Sequence, residues 1–493
     1  MSAKLPTLDE MVTLLGRQFD NLPDQRAGPN LTYTLRDAGV AAFAVFFMQA
    51  PSFLAHQRDM QRQKGRNNAA SLFGLRAVPS DPQIRNLLDP IAPAQLAAPF
   101  WVIFGRLAQA GALQPYESFA ANWLCSLDGT QFFTSTQIHC GRCSVKVQNG
   151  QPHYAHTAIT PVLVAPGESR VISLEPEFIT PQDGQEKQDC ERNAAKRWLT
   201  HHRDRFGSHA VTYLGDDLYS NQPFCEQIAA GKQQHFIFTC KPDSHTTLYE
   251  EVALLSRLGA VSQVRDRHWT GRAHECWTYR HVNAVPLRTG ADALPVNWCE
   301  LTIVQEATGK QLYQNAWITD HVLSEQTVRP LVAAGRARWK IENENNNVLK
   351  NHGYHLDLRQ FRPRPPVSGP SVGAAQLVGL SDAYGARPGR RGLSAHPPRA
   401  GCPADLLQRH PGFDTLLVLC QLAAIARLHG RRTGAQASPD LTVKSNLELL
   451  MKSPGIPSAT LGYNGPLVNG HLATVAWRRI GPAGWRVRSR SMP

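Results

Sequence analysis

Three acidic residues stand where the sequence could assemble a metal-dependent site. Asp128 ends the apolar run WLCSLD and Asp216 ends the run AVTYLG, so each follows a predicted strand. Glu342 lies on a predicted helix four residues after Arg338, a spacing that puts both side chains on one face. Three carboxylates in one pocket repel each other unless a cation neutralises them, so this set predicts bound magnesium or manganese, Mg²⁺ or Mn²⁺.

Such a cluster would serve phosphoryl transfer, because two metal ions about 3.5–4 Å apart activate water and stabilise the leaving oxygen. The same residues also have an ordinary interpretation. Asp before Gly often caps a turn, and a charged helix face opposite the apolar side that begins with Trp339 and Ile341 is typical of a solvated helix. Spacing alone leaves both interpretations open.

The segments SLDGT, YLGDDLY and RARWKIENENNNVLK occur in this order along the chain. Together they resemble the motifs of the DDE cut-and-paste transposases of the insertion-sequence-4 type, a likeness that covers roughly residues 30–358. The resemblance implies an RNase H-like catalytic core with a β-rich insertion before the last acid. Asp128, Asp216 and Glu342 would be the catalytic, metal-binding acids, with Glu344 as the alternative third acid.

The family signature on the terminal helix is Y-(2)-R-(3)-E-(6)-K. Arg338 and Glu342 match it, Gly335 stands in the place of the Tyr, and Lys350 lies one residue too far from Glu342. By resemblance, Arg338 and Lys350 would hold DNA phosphates, the first by its fork geometry and the second as a point charge. The implied reaction is metal-assisted hydrolysis at the ends of an element, followed by attack of the freed 3′-OH on target DNA.

Tryptophans of the predicted insertion are candidates for contact with DNA bases. Trp269, Trp277 and Trp298 could stack on an unpaired base at a cleaved end, and Trp298 is the one assigned to DNA binding. The alternative is that they fill the small core of the insertion. The implied partners are double-stranded DNA, both the terminal inverted repeats and the target, and a second copy of the chain in a paired-end homodimer.

Hydrophobic periodicity predicts an α/β protein with a helical N-terminal domain. Breaker-rich stretches after the terminal helix predict an irregular or disordered tail. The predicted domains are a helical region with possible DNA binding at 1–115, the catalytic core at 116–261 and 318–358, the β-rich insertion at 262–317, and a basic Pro/Arg-rich tail at 359–493.

The charge of the chain lies in that tail. Residues 359–493 carry 18 Lys and Arg against 5 Asp and Glu, which equals the net charge of +13 of the whole chain. Residues 1–358 are therefore balanced, and bulk charge does not argue for DNA binding there. We hypothesise a single-base frameshift near 357–360, which would make the tail non-native and this copy inactive. The alternative is a genuine basic tail that binds DNA, in which the apolar stretch FDTLLVLCQLAAIARLHG could form a helix.

The cysteines permit a different kind of site. Cys140 and Cys143 have CxxC spacing, and His139, His153, His156 and Cys190 are within reach in sequence, but no second CxxC completes a zinc set. Ten irregularly spaced cysteines, no signal peptide and no apolar run long enough for a bilayer predict a cytoplasmic, nucleoid-associated protein with reduced thiols. The other functions considered are a DNA-binding remnant without catalysis and a metal-dependent nuclease on the same scaffold.

Overall fold

A computed structural model describes residues 5–26, 31–50, 52–137, 139–181, 189–351, 354, 356, 412–429, 475–479 and 485–489. The chain forms two units, residues 1–433 and 434–493. In the second unit, the antiparallel strands Val475–Arg479 and Trp485–Ser489 pair as a hairpin. All other elements belong to the first unit.

The helices of the first unit follow the predicted division into a helical start and a mixed remainder. Thr7 and Thr34 cap the first two helices, each with an acidic residue three positions later that completes a capping box. The helices are α1 Leu8–Asp20, α2 Leu35–Phe47, α3 Phe53–Gln61, α4 Gln63–Phe73, α5 Asp81–Leu88, α6 Ala98–Gln109, α7 Glu191–His202, α8 Gln222–Ala229, α9 Thr246–Arg257, α10 Val328–Arg336, α11 Asn347–Asn351 and α12 Gly412–His429.

Two sheets organise the strands. The strands are β1 Trp123–Ser126, β2 Gly129–Ser135, β3 Ser144–Gln148, β4 Gln151–Ile159, β5 Val162–Val164, β6 Ile172–Ser173, β7 Glu177–Ile179, β8 Val211–Gly215, β9 Gln234–Thr239, β10 Ser262–Trp269, β11 His274–Pro286, β12 Pro295–Gln305 and β13 Gln311–Thr319. The larger sheet has nine strands in the order β10-β11-β12-β13-β9-β8-β1-β5-β6. The smaller sheet pairs β2, β4 and β3, with β7 added to β4.

The centre of the large sheet explains the apolar runs of the sequence. β1, β8 and β9 are parallel, and every residue of β1 and β8 is buried, as parallel strands covered on both faces require. The predicted α/β class is confirmed as a mixed α/β fold. Residues 262–317 supply the antiparallel strands β10 to β13, which extend this same sheet through the pairing of β13 with β9.

No single helix among the described residues is long and apolar enough to cross a membrane. Two helical stretches, 81–88 and 93–109, have sufficient length and apolar composition only when taken together, and they are bent by 102° at the break between them. Both stretches bury core residues such as Leu88 and Phe104.

The apolar stretch of the predicted tail forms α12 and packs within the first unit. Its residues from Leu416 to Ala426 are buried, and the helix lies against α2, α5 and α11. The hydroxyl of Thr415 donates to the Ile91 carbonyl at 2.9 Å, whereas the buried Gln421 amide has no partner among the described residues. Residues 412–429 thus pack within the first unit, and the frameshift, which concerns all of 359–493, stays a hypothesis; most of those residues lie outside the described ones.

The chain changes its helical winding around Glu342. After α10 it makes a 3₁₀ turn at Ala337–Trp339 and then a π-helical segment, Ile341–Asn346, before α11 begins. The changed winding turns Trp339 outward, where it is 51% exposed, while Ile341 is fully buried. The sequence-based assignment of Trp339 to the apolar side of a regular helix is therefore wrong.

Two buried asparagines hold the π-helical segment against the sheet. The Thr160 hydroxyl donates to Oδ1 of Asn346 at 2.7 Å, and the Ser173 hydroxyl donates to Oδ1 of Asn345 at 2.9 Å. Nδ2 of Asn345 also donates to Oδ1 of Asn346 at 3.0 Å. Because Thr160 precedes β5 and Ser173 lies in β6, these bonds fix the segment that carries Glu342 to two strands.

We predict that Asn346→Ala lowers the free energy of unfolding by about 2–6 kcal/mol. The substitution leaves the Thr160 hydroxyl and one Asn345 amide hydrogen buried without an acceptor, at about 1–3 kcal/mol each. Urea denaturation measures the change. Asn343→Ala is the matched control, because Asn343 is exposed on the same segment and should shift stability by no more than about 0.5 kcal/mol. Equal effects of the two substitutions would contradict the anchoring role.

Candidate active site

Parallel pairing brings the first two acids to one edge of the sheet. Ser126 of β1 is the register partner of Leu214 of β8, so Asp128 and Asp216 each lie two residues beyond a paired position. Neighbouring strands are about 4.8 Å apart. The Leu127 N–H donates to the Leu214 carbonyl at 2.8 Å, which continues the pairing up to the first acid.

Arg338 and Glu342 reach the same place from the terminal helical segment. The Ser126 hydroxyl donates to the Arg338 carbonyl at 3.3 Å, which ties this segment to the end of β1. The charges of Arg338, Glu342 and Asp216 all act on the Asp128 carboxyl. Glu342, the third acid chosen from the sequence, adds to the raised pKa of Asp128, and Glu344 stays the alternative.

A fourth acid, Glu191, belongs to the cluster and was not found from the sequence. It is the first residue of α7, and its Oε1 accepts the Gly129 N–H at 3.0 Å and the Tyr219 hydroxyl at 2.7 Å. A Cβ on Gly129 would stand 2.4 Å from Oε2 of Glu191, so a larger residue after Asp128 would displace the Glu191 carboxylate. Acidic residues are common in the first turn of a helix, where they interact favourably with the helix dipole. The position of Glu191 in the sequence therefore did not mark it as a site residue.

Burial and like charge shape the titration of these acids. Burial raises the pKa of Asp128 to about 7, and the negative charges of Glu191, Asp216 and Glu342 add to the effect, while Arg338 opposes it. Burial also raises the pKa of Glu191, against the hydrogen bond from Tyr219. The cluster therefore holds more negative charge than its one nearby arginine balances, which is typical of a functional site.

The two adjacent aspartates after β8 have different environments. Asp217 accepts the Lys241 N–H at 2.6 Å and the Ser244 hydroxyl at 2.5 Å, and it lies 3.5 Å from the His245 ring. The carboxylate of Asp216 accepts the local Leu218 N–H at 2.9 Å, its one acceptor bond among those of the described residues. Asp217 thus fixes the loop after β9, and Asp216 is the member of the pair whose charge reaches Asp128.

The donor set suits a hard cation, since it consists of carboxylates alone. Its oxygens do not converge on a single point, however. Among the described residues, donor atoms from three side chains lie within 4.8 Å of one another in two other groups, Cys140 with Cys143 and His156, and His235 with Asp320 and His321. The acids are therefore suited by their chemistry to Mg²⁺ or Mn²⁺.

The predicted DNA-contacting residues fall into different environments. Trp298 is 1% exposed in the core of the sheet, so it cannot stack on a base and its assignment to DNA binding is corrected. Trp269 is 59% exposed at the end of β10, and Trp277 is half-buried with the Arg336 guanidinium 5.0 Å from its ring centre. Arg338 and Lys350 are both half-buried, Lys350 on α11. That these two residues contact DNA phosphates stays a prediction.

An exposed tryptophan among cations was also missed. Trp339 lines a shallow cavity together with Tyr313, Arg336, Lys340 and Pro166. The Arg336 guanidinium lies 5.1 Å from the centre of the half-buried Tyr313 ring. An exposed ring among cations is typical of surfaces that bind single-stranded nucleic acid.

We predict that Asp128→Asn stabilises the metal-free protein at neutral pH. The folded pKa of about 7 lies above the unfolded value of about 3.9, so the wild type loses stability as pH rises from about 4 to 7, and the asparagine variant escapes that loss. Denaturation in chelator at pH 4, 5.5 and 8 measures the difference, which should grow with pH. Exposed Asp243→Asn is the control and should follow the wild type. A less stable Asp128→Asn variant at pH 8 would contradict the electrostatic argument.

Comparison with known proteins adds no family to this description. No protein-family model matches the chain, and no curated protein matches its sequence. The grounds for a functional proposal are therefore the three sequence motifs and the carboxylate cluster that the fold assembles from them.

Proposed function

We propose that this protein is a DDE transposase that cleaves and joins DNA at the ends of an insertion sequence. The observation that carries the proposal is the placement of Asp128, Asp216 and Glu342: the two aspartates follow the paired parallel strands β1 and β8 at one edge, and the segment of Glu342 is bonded to Ser126 at the end of β1. Each comes from one of the three motifs that resemble the family. If the aspartates only capped turns and Glu342 only lay on a solvated helix face, there would be no reason for their segments to lie at one edge of the sheet.

The strand arrangement supports the RNase H-like core that the resemblance implies. β6, β5 and β1 are antiparallel neighbours, and β1, β8 and β9 continue the sheet in parallel. The first two acids follow β1 and β8 on the same edge, where binding sites of parallel sheets usually form. The third acid comes from a helical segment bonded to Ser126 at the end of β1.

The acids would hold the metal ions of the reaction. Asp128, Asp216 and Glu342 are the ligands we assign to Mg²⁺ or Mn²⁺, which supplies activation of the attacking oxygen and stabilisation of the leaving oxygen. Glu191 positions the loop after β1 through its bond to the Gly129 N–H. Its hydrogen bonds to Gly129 and Tyr219 leave it a structural support of the site rather than a third-acid candidate.

The cations and rings beside the acids would bind DNA. Arg338, whose charge reaches Asp128, would grip the phosphate at the scissile position, and Lys350 would contact a phosphate farther along the strand. Trp339 takes over the role first assigned to Trp298, because its exposed ring can stack on an unpaired base next to Arg336 and Lys340. The functional assembly would be a homodimer that pairs two DNA ends.

We predict that Glu342→Gln abolishes transposition and that Glu344→Gln does not. A marker bordered by the DNA that flanks this coding sequence on either side serves as the substrate, and excision and insertion into a target plasmid are scored. Loss of a metal-binding carboxylate should reduce both at least about 100-fold. Glu344→Gln removes one charge from the same segment but keeps the Glu342 carboxylate, so it should change activity less than about 5-fold.

The same assay separates the alternative functions. A nuclease would cut the flanking DNA in Mg²⁺ or Mn²⁺ but leave the 3′-OH ends unjoined to the target. A DNA-binding remnant would neither cut nor join, and Asp128→Ala would change only its affinity for DNA. Excision that survives Glu342→Gln but not Glu344→Gln would move the third acid to Glu344.

We predict that Trp339→Ala weakens binding of DNA with an unpaired end while leaving blunt duplex binding unchanged. A stacked base contributes about 1–3 kcal/mol, which corresponds to roughly 5- to 150-fold in affinity. Fluorescence anisotropy with the two DNA forms measures the ratio. Trp269→Ala is the matched control, since Trp269 is equally exposed but lies at the end of β10. Loss with Trp269→Ala instead would move the stacking surface to the tip of the β10–β11 hairpin.

A further inference from the structure

A group of metal-type donors lies outside the carboxylate cluster, on the smaller sheet. The Sγ atoms of Cys140 and Cys143 are 3.8 Å apart, and the Sγ of Cys140 is 3.2 Å from Nε2 of His156. All three donor atoms lie within 4.8 Å of one another. The cysteines come from the connection between β2 and β3, and His156 comes from β4.

These distances match those around one tetrahedral ion. Zinc binds sulfur at about 2.3 Å and imidazole nitrogen at about 2.0–2.1 Å, which sets two sulfurs about 3.8 Å apart and a sulfur and nitrogen about 3.5 Å apart. A disulfide would need the sulfurs at about 2.05 Å. The arrangement of Cys140 and Cys143 is therefore that of two ligands sharing an ion.

The histidine is oriented in the way that zinc-bound histidines are. Nδ1 of His156 lies 2.7 Å from Oδ1 of Asp414, and both side chains are buried. A proton on Nδ1, donated to the carboxylate, leaves the lone pair of Nε2 directed at the sulfurs. Arg142 lies 3.5 Å from the other oxygen of Asp414 and balances its charge.

Backbone amides of the CxxC turn already donate to the sulfurs. The N–H of Cys140 donates to Sγ of Cys143 at 3.3 Å, and the N–H of Arg142 donates to Sγ of Cys140 at 3.4 Å. Such bonds favour the charged thiolate, which is the form of cysteine that binds metal. The turn is thus arranged for ligation before any ion arrives.

We propose that Cys140, Cys143 and Nε2 of His156 bind a Zn²⁺ ion, with a solvent molecule as the fourth ligand. Cys140 is half-buried, and Arg142 and Asp414 line a surface cleft, so an ion and a water can reach the site. Thiolate and imidazole donors select zinc over Mg²⁺, which prefers oxygen. His139, a ligand candidate in the sequence, instead stacks on Tyr154 at 4.3 Å.

The proposed ion would link distant parts of the chain. It would join the β2–β3 connection to β4 and, through the bond from His156 to Asp414, fix the start of α12. A structural zinc contributes directly to folding energy. The proposed zinc ligands are distinct from Asp128, Asp216 and Glu342, and they come from the smaller sheet and the β2–β3 connection rather than from the ends of β1 and β8.

The test uses the full chain, purified in reductant without chelator. We expect about one zinc per chain by mass spectrometry, retained in excess Mg²⁺, and a thiolate-to-cobalt charge-transfer band when Co²⁺ replaces it. Cys143→Ser should abolish the band, while Cys276→Ser, a half-buried cysteine on β11, should keep it. Asp128→Asn should also keep it, which separates this site from the carboxylates.

Asp414→Asn gives the sharper test of the orientation argument. It keeps all three ligands, so it should still bind one zinc, but about 10- to 100-fold more weakly in a chelator competition. The proposal is overturned if the wild type gives no thiolate band with Co²⁺, or if its zinc is unaffected by both Cys143→Ser and Asp414→Asn. It is equally overturned if Cys140 and Cys143 are found joined as a disulfide in protein saturated with Zn²⁺. If Cys143→Ser does not fold, the wild-type band and the Asp414→Asn affinity decide.

Discussion

The parallel pairing of β1 with β8 is the constraint on which the candidate active site depends. Its register sets Ser126 against Leu214 and so carries both strands to an acid at the same edge. Because side chains alternate across a strand, a slip of one residue would turn every side chain of β8 to the other face. The complete burial of both strands opposes such a slip, since it would disturb the packing of residues such as Leu124 and Tyr213.

Gathering acids at that edge is unfavourable by itself, and the neighbouring structure is what offsets it. The pKa of Asp128 is raised because burial and three other carboxylates oppose its ionisation. Two hydrogen bonds to Glu191, from Gly129 and Tyr219, and the charge of Arg338 supply part of the compensation. A bound divalent cation would supply the rest. Without a cation the fold favours a protonated Asp128, whereas metal binding would need its ionised carboxylate.

The sequence allowed the sheet class and three of the four clustered acids to be predicted, because strand ends and motifs are local signals. Glu191 was missed since its role arises from a tertiary contact with Gly129, which no spacing reveals. Trp298 was misassigned because the insertion strands extend the central sheet, where an aromatic residue becomes core. Trp339 was misassigned because a regular helical period does not anticipate the 3₁₀ turn at Ala337–Trp339 and the π-helical segment Ile341–Asn346.

The helix α12 shows how far composition describes the tail. An amphipathic helix can be recognised by its polar face, but α12 is apolar on all sides, which suits only a helix surrounded by others. Its two polar residues near the start are both engaged, Asp414 with His156 and Thr415 with the Ile91 carbonyl. Such a helix is stabilised by the elements that cover it, here α2, α5 and α11. Through the bond from His156 to Asp414, a segment some seventy residues beyond Glu342 is fixed to the smaller sheet, as the numbering from Glu342 to Asp414 shows.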